Sequence, residues 1–285
     1  MRKLIVFLLF VSFSTLMFSQ NKPAYKLYNA KGHKVSYKSM IKKMKKADVV
    51  LFGEHHDNPI VHWLQYETTA DLFKHRELIL GAEMFEVDNQ TTLNDYLIDS
   101  INQKGLDTLV RLWKNHKTDY KPLLDFAKDK KLKFIATNIP RKYASEVYKG
   151  GFEILDSLSI LEKSWMAPLP IKYDATLPGY IKMQKMMEGH EGKGDLSKAQ
   201  AMKDATMAYF ILKNRLANKL FVHYNGTYHS DDYEGINWYL KQGKPNLNIV
   251  TVSVVEQDNL KKLDKENKFK ADYIIVVSPT MTKTN

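Results

Sequence analysis

Two short stretches place glycine, carboxylate and imidazole directly behind an apolar run. They are Gly53-Glu54-His55-His56, after Val49-Val50-Leu51-Phe52, and Gly226-Thr227-Tyr228-His229, after Leu220-Phe221-Val222-His223-Tyr224-Asn225. Imidazole beside a carboxylate can move a proton near neutral pH or bind a metal ion, and glycine lets the backbone turn sharply where the run stops. Two more apolar runs end alike: Leu78 to Ala82 delivers Glu83 and then Glu86, and Lys133 to Thr137 delivers Asn138 and then Arg141. An unpaired carboxylate in the apolar setting of Glu83 is expensive to bury, so Glu83 needs a partner. The alternatives are a salt bridge to Arg141, a bond to a backbone turn, or a role as metal ligand or general base. His62 and Gln65 lie where they can hold the first histidine motif in place.

Those four ends belong to one side of a sheet if the runs are parallel strands, because ligands in open α/β sheets bind outside the carboxyl ends of the strands. Short β-branched runs alternating with helical patterns predict strands at Val49–Phe52, Leu78–Glu83, Lys133–Thr137, Lys219–Tyr224, Leu247–Val255 and Tyr273–Val277. The fold class that follows is α/β, a mainly parallel sheet flanked by helices. A helix is expected over Pro59–Lys74, with its N-terminus beside His55 and His56. Residues 89–131 read as helical throughout. Between Pro140 and Asn218 no strand is expected. This stretch far exceeds the dozen residues that a crossover needs, so it is read as a smaller helical subdomain inserted at about residues 142–216. Its segments Gly179–Glu188 and Leu196–Leu216 carry helical patterns. Gln200 and Asp204 share a face of the second, and the segment after Pro279 is expected to fray.

At 285 residues and 44% hydrophobic, the chain can bury a substantial core. Residues 1–20 read as a secretory signal, Arg2 and Lys3 preceding the apolar Leu4–Val11, which leaves a mature domain over residues 21–285. The expected location is therefore periplasmic or secreted, and soluble. The chain has no cysteine, so it offers no disulfide, no thiolate ligand and no attachment point for a lipoprotein anchor. The formal charge of +11 falls to +9 when Arg2 and Lys3 leave with the signal. Its lysines alternate with acids and apolar residues instead of forming a nucleic-acid module, so no nucleic-acid partner is expected. There is no GxSxG, HExxH or GxGxxG motif to support serine hydrolysis, a zincin or dinucleotide binding.

Read as text, VVLFGEHHDNP with His62 and Gln65, then GAEMFEVDNQ, ATNIPR, KAQAMKDATMAYFI and VHYNGTYHSDDYEGI follow in order from about Val49 to Ile236. This ordered set resembles the ChaN-like haem-binding proteins of the Tiki, TraB and erythromycin-esterase-like superfamily. The resemblance implies an α/β domain with a smaller helical domain and a role in haem or iron acquisition. It also implies haem held by a tyrosine, partly at the interface of a homodimer, and hand-over to outer-membrane uptake machinery. Tyr173, Tyr180 and Tyr228 are the tyrosines in the right neighbourhood. His55, His56, His229 and Arg141 are further cofactor-binding candidates, and Met183, Met187 and His190 would form a soft wall for haem or another porphyrin. Bacterial members are often lipoproteins, a feature that this cysteine-free chain lacks.

Relatives in the wider superfamily that act as hydrolases imply the rival reading. A metal-dependent hydrolase would bind Mn, Co or Zn through Glu54, His55, Glu83 and His229, the same residues serving as its catalytic set.

Overall fold

The apolar runs become strands because their residues alternate between two faces that are both covered. In the computed structural model, which describes residues 22–187 and 194–284, all six residues of Val49–Glu54 and all seven of Leu220–Gly226 are buried. The elements in chain order are β1 (Tyr25–Asn29), α1 (Tyr37–Met44), β2 (Val49–Glu54), α2 (Pro59–Phe73), β3 (Leu78–Glu86), α3 (Gln90–Leu97), α4 (Gln103–Leu109), α5 (Lys121–Asp129), β4 (Lys133–Asn138) and α6 (Arg141–Gly150). There follow α7 (Ile160–Lys163), α8 (Pro178–Met187), α9 (Leu196–Asn214), β5 (Leu220–Gly226), α10 (Ile236–Gly243), β6 (Ile249–Glu256) and β7 (Tyr273–Val277). The sheet order is β1-β7-β6-β2-β5-β3-β4, parallel except for β1 against β7. The α/β class read from the sequence is the class observed.

Period-two alternation splits the core into two layers. Val50, Phe52, Leu80, Val222 and Tyr224 face α1 to α5, packing on Met44, Leu64, Leu72 and Leu124. Val49, Leu51, Ile79 and Phe221 face the other way, onto Tyr143 and Val147 of α6, Met202 and Ile211 of α9, and Leu240 of α10. The long stretch without strands thus supplies α6 and α9 as the second helical layer, while α8 packs into a small apolar cluster of its own with Tyr173, Tyr180, Met183 and Ala201.

Two local expectations are corrected. β1 is an additional edge strand; its short Tyr-Lys-Leu-Tyr-Asn run is half polar and lacks the buried pattern of the central strands. Residues beyond Pro279 are tied down instead of frayed: the Thr284 amide donates to the Asp57 carbonyl at 2.8 Å, its hydroxyl donates to Asp119 at 2.6 Å, and Lys283 pairs with Glu256 and with Asp57. The free side of β4 is also occupied, because the Gln90 amide donates to the Phe134 carbonyl at 3.0 Å and accepts from the Ala136 N–H at 2.7 Å. On the far side of β1, the Val35 N–H reaches the Leu27 carbonyl at 3.0 Å and Lys34 bridges to Tyr28. Residues 1–20, read from the sequence as a signal, and His190 lie outside the described residues. Among the described residues no helix is long and apolar enough to cross a membrane.

Candidate functional site

β2 and β5 run side by side in a register that sets Gly53 opposite Asn225 and Glu54 opposite Gly226, so the two glycine-led motifs meet. On the other flank of β5, β3 stays paired up to Ala82, its register against β4 shifts between Ala82 and Glu86, and Glu83 reaches towards β5. Its Oε2 accepts the Gly226 N–H at 2.7 Å. Three strand ends therefore converge on two acid–imidazole couples.

The first couple is Glu54 and His56. Glu54 is wholly buried, and its oxygens meet His56 Nδ1 at 2.8 Å, the Tyr120 hydroxyl at 2.8 Å and the Gln65 amide at 2.6 Å. Burial alone would raise its pKa, but the His56 hydrogen bond and the charges of His62 and His56 overcome that and hold the carboxyl below its ordinary value. Burial likewise pulls His56 down, and the hydrogen bond to Glu54 with the charge of Glu83 outweighs it, so the imidazole is raised. The His56 carbonyl accepts from His62 Nε2 at 3.0 Å and from the Asn115 amide at 2.6 Å, and Asn115 also donates to the buried Asp119 at 2.7 Å. His62 and Gln65 thus act on the first motif as their spacing suggested. A Cβ on Gly226 would sit 2.8 Å from His56 Nε2, so only glycine permits this approach.

In the second couple His229, on a 3-10 turn over Thr227–His229, stands between two acids. Its Nε2 lies 3.1 Å from Glu83 and its Nδ1 lies 2.5 Å from Asp204, which is fully buried on α9. Burial opposes the imidazolium, yet the two carboxylates win and push His229 up to about 10. Glu83 is held well below the ordinary carboxylate range, burial being overcome by the charge of His229 and then by His56 and the Gly226 N–H. Asp204 moves the other way, to about 6, because its burial outweighs the attraction of His229. Gln200, one helical turn before Asp204, places its amide 2.8 Å from His229 Nδ1.

These couples floor a cleft of about 740 Å³ to which His56, Glu83, Gln200 and His229 all contribute. Its walls carry Trp113, edge-on to His56 at 4.8 Å, and Tyr228, which is 61% exposed. Arg111, Lys114, Arg141 and Lys203 stand around the rim. Arg111 pairs with Glu86, while the other three make no ion pair among the described residues.

Not every candidate reaches this cleft. His55 turns away to Glu256 at 3.4 Å and faces a second cleft of about 370 Å³, with Tyr228 bordering both. The expected Glu83–Arg141 bridge does not form, because His229 and Gly226 already satisfy Glu83. Met183 and Tyr180 are buried against α9 and open onto a small cavity behind Asp204, not onto the main cleft. Tyr173 stacks on Tyr180 and shares a 2.6 Å hydrogen bond with Ser197, and Met187 is half-buried at the end of α8 away from the cleft lining. Glu54 and His55 diverge, so the four-residue metal set is not gathered: among the described residues no three or more His, Asp or Glu side chains are placed to hold a metal ion. Sequence reasoning missed Tyr120, Asn115 and Asp119, which a π-helical turn over His116–Tyr120 brings under the first motif. The one signal was the four-residue spacing of Asn115 and Asp119 in an otherwise lysine-rich stretch.

Residues 40–240 match the family model described as haem-binding uptake, Tiki superfamily, ChaN. Among solved structures the chain is similar to ChaN of Campylobacter jejuni, described with cofacial haem binding, at 21% identity and a TM-score of 0.64 over 89% of this chain and 97% of that one. It is also similar in fold to a Bacillus cereus protein (11% identity, TM-score 0.51, 91% and 96% covered) and to a succinoglycan biosynthesis protein (12%, 0.50, 90% and 94%). No curated protein gives a significant sequence match. With the family pattern running through both histidine motifs, Glu83, Arg141 and α9, the chain belongs to the ChaN haem-binding uptake family of the Tiki superfamily.

Proposed function

We propose that this protein binds haem, or a closely similar porphyrin, in the cleft at the carboxyl edge of its sheet, as part of haem or iron acquisition. The observation that carries the reading is Tyr228. Tyr173 and Tyr180 are engaged in the α8 cluster, whereas Tyr228 stands exposed on the wall between two clefts. The residues suit the group: a phenol for the iron, Trp113 as a flat apolar wall, and Lys114, Arg141 and Lys203 for the propionates. Bound haem supplies an iron centre for which a phenolate is a known protein ligand. The role of the chain is to present Tyr228, offset the propionate charge and hold His56 and His229 in fixed protonation states beneath. A volume of about 740 Å³ lies in the range of cofactor pockets.

The proposal includes export directed by the Arg2–Val11 segment, a homodimer in which a second copy covers the open side beside Tyr228, and delivery to or from outer-membrane uptake machinery. The test is titration of the purified mature protein with haemin. A saturable Soret band is expected, with Tyr228→Phe removing the phenolate-to-iron absorption and Tyr180→Phe leaving it. Absence of saturable binding in the unmodified chain refutes the reading.

One observation favours an acid–base alternative. His56 Nδ1 is held by Glu54 while His56 lines the cleft, as in a general base. Hydrolysis of an ester panel that is lost in His56→Ala but kept in Tyr228→Phe would move that alternative to first place.

A further inference from the structure

Lysines that look scattered along the sequence are gathered at one end of the molecule by the parallel sheet. The registers set Val49 opposite Phe221 and Ile249, Leu78 opposite Leu220, and Ile79 opposite Lys133, so β2 to β6 all begin at one level. Each is entered from the C-terminal end of a helix, α1, α2, α5, α9 or α10. The five entry segments, residues 42–48, 71–77, 128–133, 213–219 and 241–248, therefore share the end of the sheet opposite the cleft. We propose that this end is a docking face for an anionic lipid bilayer, which holds the protein with its cleft pointing away from the membrane.

The five segments hold fifteen Lys and Arg against four Asp and Glu. Their net charge of +11 equals the formal charge of the entire chain, so everything outside them balances to zero. Helix C-termini attract cations, but each carries only about half a negative charge, so five of them offset roughly two and a half of the eleven. Three of the four acids are already spent: Asp48 meets Arg215 at 3.5 Å, Glu77 meets Lys219 at 3.0 Å and Asp71 meets Lys74 at 2.6 Å. Lys128 is taken by Asp99 at 2.6 Å. Lys42, Lys43, Lys46, Lys130, Lys131 and Lys133 are exposed and make no ion pair among the described residues.

What stands among these lysines selects a bilayer over a nucleic acid. The two arginines of the face are tied down, Arg76 to the Lys45 carbonyl at 2.6 Å and Arg215 to Asp48, so no free guanidinium is left to grip a phosphate in a bidentate manner. None of the segments presents an exposed Phe, Tyr or Trp on which a base could stack. Aliphatic residues stand out instead. Leu216 is exposed between α9 and β5, and Ile98, 71% exposed, borders a groove of about 670 Å³ with Leu97, Leu132, Ile135, Lys131 and Lys133. Ammonium groups beside an aliphatic surface match the headgroups and acyl boundary of an anionic leaflet, where each added cation strengthens attachment.

The test is sedimentation of residues 21–285, which contain the whole described fold, with two kinds of vesicle: phosphatidylcholine alone, and phosphatidylcholine with roughly one third phosphatidylglycerol. The protein should bind the mixed vesicles only, and be released as salt rises from about 0.1 M to about 0.5 M. Combined Lys130→Gln, Lys131→Gln and Lys133→Gln should weaken binding about tenfold or more, and combined Lys42→Gln, Lys43→Gln and Lys46→Gln should do the same. Combined Lys261→Gln, Lys262→Gln and Lys265→Gln remove equal charge from exposed positions beyond β6 and should change it less than about twofold. An unchanged thermal midpoint certifies that each variant is folded. Absence of binding to the mixed vesicles, equal binding to both kinds, or an equal loss in all three variants overturns the docking face. A DNA duplex that strips the protein from mixed vesicles at equal phosphate concentration assigns the face to nucleic acid and overturns the bilayer. Haemin titration is a separate readout, and its failure leaves the docking face standing.

Discussion

Glu83 Oε1 lies 3.1 Å from His229 Nε2, and this contact closes a chain of alternating charge that ends at Asp204 on the opposite side of the same imidazole. His229 is raised from 6.5 to about 10, so the folded state binds its proton more tightly than the unfolded chain does. That contribution to stability is fully present below pH 6.5 and is lost as pH rises towards 10. Glu83, depressed from 4.5, contributes stability that is present above pH 4.5 and lost as pH falls. Asp204, raised from 3.8 to about 6, opposes it, costing stability as pH climbs between those values. Replacing His229 by Asn leaves two buried acids without their counter-charge, a change that costs about 3–5 kcal/mol. Thermal denaturation should place the variant roughly 10 °C below the parent near pH 6.5, with the gap narrowing towards pH 10. A gap that stays constant across that range would show that His229 is not charged in the folded protein.

The close approach at Gly226 makes a steric prediction. Gly226→Ala sets a methyl group 2.8 Å from His56 Nε2 and 3.0 Å from its Cε1, so the ring must move and its edge contact with Trp113 must open. Urea denaturation should register a loss of about 1–3 kcal/mol, typical of overpacking. Tryptophan emission should shift in the native baseline; an unchanged spectrum with full stability would mean that His56 has room to spare.

Tyr120 reports on the Glu54 carboxylate. Its hydroxyl donates to Glu54 at 2.8 Å inside the core, and a hydrogen bond to a charged group contributes about 1.5–3 kcal/mol. Tyr120→Phe should cost that much at pH 7. The deficit should shrink in acid, where Glu54 becomes protonated; a pH-independent deficit would assign the loss to packing alone.

How much of this was legible in the sequence follows from range. The convergence of the histidine motifs was readable because parallel strands present their carboxyl ends on one side, and the apolar runs marked those ends without ambiguity. Which histidine faces the cleft was not, since His55 and His56 lie beyond the end of β2, where strand alternation no longer governs. The chain there is set by Asn115, His62 and the Asn58 N-cap of α2. Met183 illustrates a different limit: a methionine-rich helix face looks the same whether it meets a cofactor or the alanines of α9, and only the packing partner decides. Tyr120 and Asp119 were hidden because a π-helical turn rotates side chains off the 3.6-residue period that sequence patterns assume.

The C-terminal segment makes a further prediction. Thr284 spans the Asp57 carbonyl and Asp119, and Asp119 also anchors the Asn115 amide that holds the His56 carbonyl. The pair Lys283→Ala and Thr284→Ala should cost about 1–2 kcal/mol and accelerate hydrogen exchange at Asn115–Tyr120 well above exchange in β5. Unaltered protection over that stretch would show that the segment merely rests on the surface.

Gln90 has a consequence for assembly. By lending its amide to Phe134 and Ala136 it behaves as a one-residue imitation of a neighbouring strand, and residues 33–35 do the same work beside β1. Each flank of the sheet is thus partly occupied from within the chain. A strand from another copy could add to this sheet only by displacing the Gln90 amide from β4 or residues 33–35 from β1.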